Sequence, residues 1–373
     1  MRVLHVVNTL AGGGAERFVA SLAPLLAGHV DRCGVMAIYA TPVPDTVANA
    51  RNLDVIEIGR RKRFDPAFLG RMLSKMRSWR PDVVHTHTHG GTYWGRLAAL
   101  ATGVPAIVRT EHHPCDTFRI PGTALADRAL NAATSSIVTF FDEQARFLAA
   151  YERFDPRKNC VIPNGIAHAP PPGPADAARA RDRLEIASQT YAIFVLGSLY
   201  RPKNPRLAVD ALAHLDSSHR ERVRLFFVGD GVSRLELQSL VRERKLGDRI
   251  TFLGFRSDAV ELLPAADLLL MPSLSEGMPL AVIEAMSARV PVLSTPWRGV
   301  NDMLHGGRLG AIAADFRPET IAQCMRAIMD DPDGARQTAQ LAQTVARTEY
   351  DIARAAAQHG ELYHSLRVNR SAA

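Results

Sequence analysis

Short apolar runs recur along the whole chain, each ending in a polar or glycine-containing turn that opens a segment of helical periodicity. In the first half the runs fall at Val3 to Val7, Arg32 to Tyr39, Val55 to Ile58, Asp82 to His85, Ala106 to Thr110 and Ser136 to Thr139. The second half repeats the rhythm at Ala192 to Leu196, Leu225 to Val228, Ile250 to Phe255, Leu268 to Met271 and Val290 to Ser294. Unbroken Val, Ile and Leu suit strands buried on both faces, and strands alternating with helices predict an α/β chain with parallel sheets. Helices are expected from the Gly12 to Arg17 turn through about Ala27, across FDPAFLGRMLSKMRSWRP, over Thr92 to Thr102, and around Asp127 to Ala132 and Glu143 to Arg153. Others start at Pro205 and near Pro279, and a last one runs from Ala335 to about Leu366.

The rhythm breaks after VIPNGI (Val161 to Ile166), where AHAPPPGPADAARARDR reads as a proline- and alanine-rich interdomain linker. A boundary near residue 170 divides the chain into 1–170 and 171–349, each of ordinary domain size. A hydrophobic content of 47% is enough for two cores. Cys33, Cys115, Cys160 and Cys324 lack metal-ligand spacing and are expected to be buried small hydrophobes. The net charge of +7 implies anionic company, either phosphorylated substrates or a lipid headgroup surface. No nucleic-acid-binding motif accompanies it, so nucleic acid is not an expected partner. The chain goes straight into a strand and has no apolar run long enough to span a bilayer, so a cytoplasmic protein is expected. The FDPAFLGRMLSKMRSWRP helix, with Arg71, Lys75, Arg77 and Arg80 beside an apolar side, suits a cover for a sheet or a peripheral contact with an anionic membrane.

Candidate chemistry collects where strands end and helices begin. In ADLLLMPSLSEGMPLAVIEAMSARVPVLSTP, Ser273, Ser275, Glu276 and Gly277 occupy such a turn, where free helix N–H groups favour an anion. Glu276 and Glu284 would place two carboxylates at one pocket, able to grip two pairs of vicinal hydroxyls, as sugars and riboses offer. Arg201 and Lys203 follow the strand ending at Leu196 and suit a diphosphate. The turn at Gly12, Gly13 and Gly14 does not complete a dinucleotide fingerprint, because Arg17 takes the third glycine's place. His85, His87 and His89 alternate, which would project all three to one face as metal ligands do; no acidic partner lies nearby and no metal is expected.

The spacing SEGMPLAVIEAM followed by PVLSTP resembles the donor-site signature of the retaining glycosyltransferases of family 4, also described as glycosyl transferases group 1. GGGAERF, the strand ending in His-x-His, the Thr110-Glu111-His112 segment, VIPNGI, GSLYRPKN and ITFLGF resemble further segments of that family in the same order, so the likeness covers nearly the whole chain. The resemblance implies the GT-B fold: two Rossmann-like α/β parallel-sheet domains facing across a cleft, with the C-terminal helix (about 350–373) packing back onto the acceptor-side first domain. It implies transfer of a sugar from a nucleotide-diphosphate sugar to a sugar- or lipid-linked acceptor, in envelope polysaccharide, lipopolysaccharide or glycolipid synthesis, with no cofactor or metal. His112, Glu276, Lys203 and Arg201 become the implied catalytic residues. Gly13, Gly14, Glu16, His87, Gly254, Phe255, Gly277, Met278, Leu280 and Glu284 become substrate-binding, with His113 a rival to His112. Departures from the family pattern are Ser198 where arginine is common after the glycine, Arg289 in place of a glycine, and Asn301-Asp302 in place of Pro-Glu. A sugar phosphorylase or nucleotide-sugar epimerase on the same fold is the alternative. A glycosidase, a dinucleotide-dependent oxidoreductase and a silent nucleotide-sugar binder are more distant ones.

Overall fold

A computed structural model describes residues 1–10, 13–40, 43–50, 53–60, 65, 67–112 and 123–371. The chain forms two compact units: Met1–Ala167 together with Glu349–Ala373, and His168–Thr348. The first holds seven strands, β1 (Arg2–Val7), β2 (Arg32–Ala37), β3 (Leu53–Glu57), β4 (Val83–Thr86), β5 (Ala106–Thr110), β6 (Ser136–Thr139) and β7 (Asn159–Val161). They pair in parallel in the order β3-β2-β1-β4-β5-β6-β7. The second holds β8 (Tyr191–Leu196), β9 (Val223–Val228), β10 (Ile250–Gly254), β11 (Leu268–Met271), β12 (Val292–Ser294) and β13 (Ala311–Ile312), parallel in the order β10-β9-β8-β11-β12-β13. Each sheet reverses its winding once, between β1 and β4 and between β8 and β11. In such sheets a crevice opens at that point, beyond the carboxyl ends of the strands.

The first core joins Leu4, Val6, Met36 and Val84 to Phe68, Met72, Met76 and Trp79 of the helix Ala67–Trp79. The apolar side of that basic helix therefore covers the sheet, and Trp79 Nε1 donates to Asp54 Oδ2 at 2.8 Å. Only its charged rim, with Lys75 and Arg77 exposed, is left for a surface. Beyond β5 lies a buried ionic knot. Arg109 Nη1 donates to Glu152 Oε2 at 2.7 Å, Asn131 Nδ2 to the same oxygen at 2.6 Å, and Arg96 Nη1 to Asn131 Oδ1 at 2.7 Å. Burial opposes the Arg109 charge, but Glu111 and Glu152 outweigh it and hold the guanidinium firmly protonated. In the second unit Ile193, Leu225, Phe227, Leu268 and Leu293 pack with Leu207, Leu212 and Met325 from the covering helices.

Three expectations are corrected. Half of the presumed linker is a helix, Pro174–Arg183, inside the second unit. Pro174 sits in the first turn, where its missing N–H costs nothing, and Asp176 Oδ2 accepts from Gly173 N at 2.7 Å. Arg181 then ties the helix down through Asp267 Oδ2 and the Ala265, Ala187 and Thr190 carbonyls. The last helix is two helices, Pro332–Glu349 and Ile352–Ser371. Between them Tyr350 O accepts from Ile166 N, and Ile166 O from Ile352 N, each at 3.0 Å, so the helical ladder gives way to a short bridge with the VIPNGI turn. Gly165 permits the approach, since a Cβ there would lie 2.6 Å from the Asp351 backbone. Ile352–Ser371 then packs against the helix Gly14–Leu26. β12 begins at Val292 rather than Val290, because Pro291 cannot donate and Val290 N closes the preceding helix onto Ala285 O.

Candidate functional site

In the second unit the loops after β8 and β11 meet at the reversal point. After β8, Gly197 (φ +140°) and Ser198 lead into a 3₁₀ turn, Arg201–Lys203, closed by Asn204 in the left-handed region. After β11, Ser273 to Met278 lead into the helix Leu280–Ser287 with Pro279 at its cap. Leu274 N donates to Pro202 O at 2.9 Å, holding the two loops together. Lys203 Nζ reaches across to Glu276 Oε1 at 2.7 Å, and Ser273 Oγ donates to the same oxygen at 2.5 Å. Thr295 fixes Ser273 in turn, its hydroxyl donating to Ser273 O at 2.5 Å. Gly197, Ser198, Lys203 and Ser273 line a recess there. Lys203 and Glu276 are thus presented as a preformed pair: a cation for a phosphate and an acceptor for a hydroxyl. Arg201 is exposed at the start of the same turn.

Glu284 is buried on the helix behind this loop. Gly277, Met278 and Leu280, at the start of that helix, are buried too. The loops after β9 and β10 complete the edge. Gly229 N donates to Gly254 O at 2.8 Å, Gly254 has φ +70°, and Phe255 beside it is 78% exposed.

In the first unit the corresponding edge carries Gly13, the cap of Gly14–Leu26, with Glu16 in that helix's first turn. A Cβ on Gly13 would lie 3.1 Å from Glu16 Oε2. Asn8, after β1, accepts from Gly91 N at 2.9 Å, and its own N–H donates to Thr88 Oγ1 at 3.1 Å, which ties the turns after β1 and β4 together. His112 follows β5, half-buried between the rings of Phe18 and Phe140. His113 lies outside the described residues, as do Gly12, Cys115 and Arg61 to Arg63.

The histidine pattern differs from expectation. His89 is exposed and opens the helix His89–Ala101, because β4 ends at Thr86 and Thr88 turns with φ +59°. The third ring beside His85 and His87 is His5, which the parallel register of β1 and β4 sets next to His85. His87, expected to touch substrate, is wholly buried with both ring nitrogens engaged: Nε2 with His5 Nδ1 and Nδ1 with His112 Nε2, each at 2.9 Å. His85 bonds Tyr363 Oη at 2.6 Å and Thr110 Oγ1 at 2.7 Å. His5, His85 and His87 bring ring nitrogens within 4.8 Å of one another; both nitrogens of His85 and His87 are engaged, while His5 Nε2 has no hydrogen-bond partner among the described residues. Burial lowers the His5 pKa to about 3 and that of His359 to about 4, and holds His85 and His87 well below the usual imidazole range. His5, His359 and Tyr363 belong to this buried cluster and were not singled out by the sequence pattern; the one signal was a histidine inside the apolar run VLHVV.

Residues 12–169 match the profile described as Glycosyltransferase Family 4, and residues 176–345 that of Glycosyl transferases group 1. The chain is 29% identical over 230 residues to the UDP-Gal:alpha-D-GlcNAc-diphosphoundecaprenol alpha-1,3-galactosyltransferase of Escherichia coli, covering 59% of each chain. It is 26% identical to the 2-deoxystreptamine glucosyltransferase of Streptomyces kanamyceticus over 80% of each. Among solved structures, HepE of Anabaena in complex with UDP and glucose superposes with a TM-score of 0.84 at 20% identity, covering 98% of this chain and all of that one. Sucrose-phosphate synthase of Thermosynechococcus elongatus gives 0.85 at 18% identity, covering 99% of each. These structural likenesses show a common GT-B fold.

Proposed function

We propose that this chain, which belongs to the nucleotide-sugar-dependent GT-B glycosyltransferases of family 4 and group 1, transfers a sugar to an acceptor hydroxyl with retention at the anomeric carbon. The observation that carries the reading is the Lys203–Glu276–Ser273 constellation at the β8/β11 reversal, in front of the helix Leu280–Ser287. As the bond from anomeric carbon to diphosphate oxygen breaks, negative charge develops on the departing diphosphate. Lys203, Arg201 and the N–H groups of Gly277, Met278 and Leu280 would meet it, so fixed cations and a helix start supply the electrostatic stabilisation without a metal. Glu276 would hold the donor sugar's hydroxyls and Glu284 the ribose, with Gly254 and Phe255 beside the base. His112 would hydrogen-bond the transferred sugar, and Gly13, Gly14 and Glu16 would line the acceptor side.

The acceptor we propose is lipid-linked and serves envelope polysaccharide or glycolipid synthesis, met at an anionic membrane face. The net charge of +7 supports this, as does the diphosphoundecaprenol-linked acceptor in the name of the Escherichia coli relative. Among the described residues no helix is long and apolar enough to cross a membrane. Thermal-shift measurements against UDP, GDP, ADP and their sugars, with Lys203→Ala and Glu284→Ala alongside, test the donor site. A rise in Tm with one nucleotide family, lost in both variants, is the expected result. No shift with any nucleotide would overturn the reading.

A further inference from the structure

His112, His87 and His5 form an unbroken line of ring-to-ring hydrogen bonds running from the edge of the first sheet into its core. A neutral imidazole carries one proton, and each nitrogen-to-nitrogen hydrogen bond needs that proton on one ring of the pair. If His87 is protonated on Nδ1, it donates to a bare Nε2 of His112, whose own proton is then on Nδ1. The bare Nε2 of His87 must then accept from Nδ1 of His5. If His87 is protonated on Nε2, every assignment reverses. With all three rings in the neutral form the geometry allows only these two registers, and in either one the three share one tautomer. Burial keeps the inner two neutral, since His5 and His87 are wholly desolvated and their pKa values fall far below the imidazole range.

We propose that His5 and His87 are positioning residues that fix which nitrogen of His112 carries its proton, and so whether His112 meets a substrate hydroxyl as donor or as acceptor. With Nε2 directed to His87, Nδ1 is the nitrogen His112 offers elsewhere. Its character is decided two rings away, at His5, which lies in mid-strand, is wholly buried and has no hydrogen-bond partner at Nε2 among the described residues, so that a proton there would be left unsatisfied. An isolated histidine can satisfy a hydroxyl in either role and so discriminates poorly between orientations of it; a ring whose tautomer is set from behind accepts one orientation. His85 packs against His5 and His87, and His359 packs behind His85; both are neutral, with His359 Nδ1 donating to Ala355 O at 2.8 Å, so neither adds a charge that would override it. The catalytic consequence rests on the proposed role of His112; the shared tautomer does not.

Ring-15N-labelled histidine in the full chain, read by long-range proton–nitrogen correlation, tests the two parts separately. The expected result is that His5, His87 and His112 show the same tautomer, and that His5→Leu, which touches His87 and not His112, changes the His112 nitrogen shifts. Different tautomers for His87 and His112 in the unsubstituted protein would overturn the proposal, even if no His5 variant folds. Unchanged His112 shifts in folded His5→Leu would do the same. With an active donor and acceptor in hand, His5→Leu should lower kcat on the order of tenfold to a hundredfold while leaving KM unchanged, as expected for a misoriented reacting group. Absence of transfer activity in the unsubstituted protein would count against the proposed function and leave the spectroscopic result standing.

Discussion

Each buried histidine of the first unit makes the protein's stability depend on acidity. His5 and His359 have folded-state pKa values of about 3 and about 4 against 6.5 when exposed, so below pH 6.5 the unfolded chain binds protons that the folded chain refuses. The stability they support is complete above pH 6.5 and declines as the pH falls toward 4, at about 1.4 kcal/mol per pH unit for each ring. Urea unfolding at pH 7 and pH 5 should therefore show a lower midpoint at pH 5, by an amount worth about 2 kcal/mol per ring. Carboxylates do not imitate this: Asp258, drawn down to about 2 by its hydrogen bond with Arg256, changes only at lower pH. A midpoint that is flat between pH 7 and 5 would contradict the burial of the cluster.

At the scale of elements, the donor-side edge is built from backbones that touch. A Cβ on Gly229 would lie 2.0 Å from Gly197 O, and Gly229 holds φ +148°, where a side chain is strained regardless of space. Gly229→Ala should therefore push the β8 and β9 turns apart, cost about 1–3 kcal/mol or more, and weaken any nucleotide-induced rise in Tm. Unchanged denaturation and an unchanged nucleotide shift would refute it. These elements were legible to different degrees. β6 and β11 were read to the residue, because their apolar runs are bounded by polar residues and turn formers. The helix Pro174–Arg183 was hidden by a proline-rich approach, although Pro174 at the first helical position with Asp176 two residues on is itself a start signal. The break at Tyr350-Asp351 could not be read locally, since what interrupts the helix is pairing with Ile166, far away in sequence. His87 was grouped with His89 for a related reason. Alternation predicts a shared face only while the strand lasts, and sheet order alone brings His5 to the cluster. The Lys203, Glu276 and Ser273 group lay in adjacent-loop motifs and was therefore visible.

On the scale of the whole molecule, the first unit is discontinuous in sequence: Glu349–Ala373 returns to Met1–Ala167. The returning segment supplies Tyr363, wholly buried and bonded to His85, and Ile352, paired with Ile166. Ending the chain after Glu349 should destabilise the first unit selectively. Hydrogen exchange should show lost protection over β1, β4 and β5, with β8, β9 and β11 still protected and any nucleotide-induced shift retained. Equal loss in both units would show that they do not fold as separate units.

The same discontinuity sets an order of events during synthesis. Residues 1–167 leave the ribosome long before the helix Ile352–Ser371 exists, and at roughly 5–20 residues per second the wait is on the order of ten to forty seconds. Throughout that time the nascent first unit carries an uncovered flank of the helix Gly14–Leu26 and a His85 ring without its Tyr363 partner. The second unit, being continuous, can close first. This glycosyltransferase is therefore assembled from the middle outward, and its amino-terminal half depends longest on protection from aggregation.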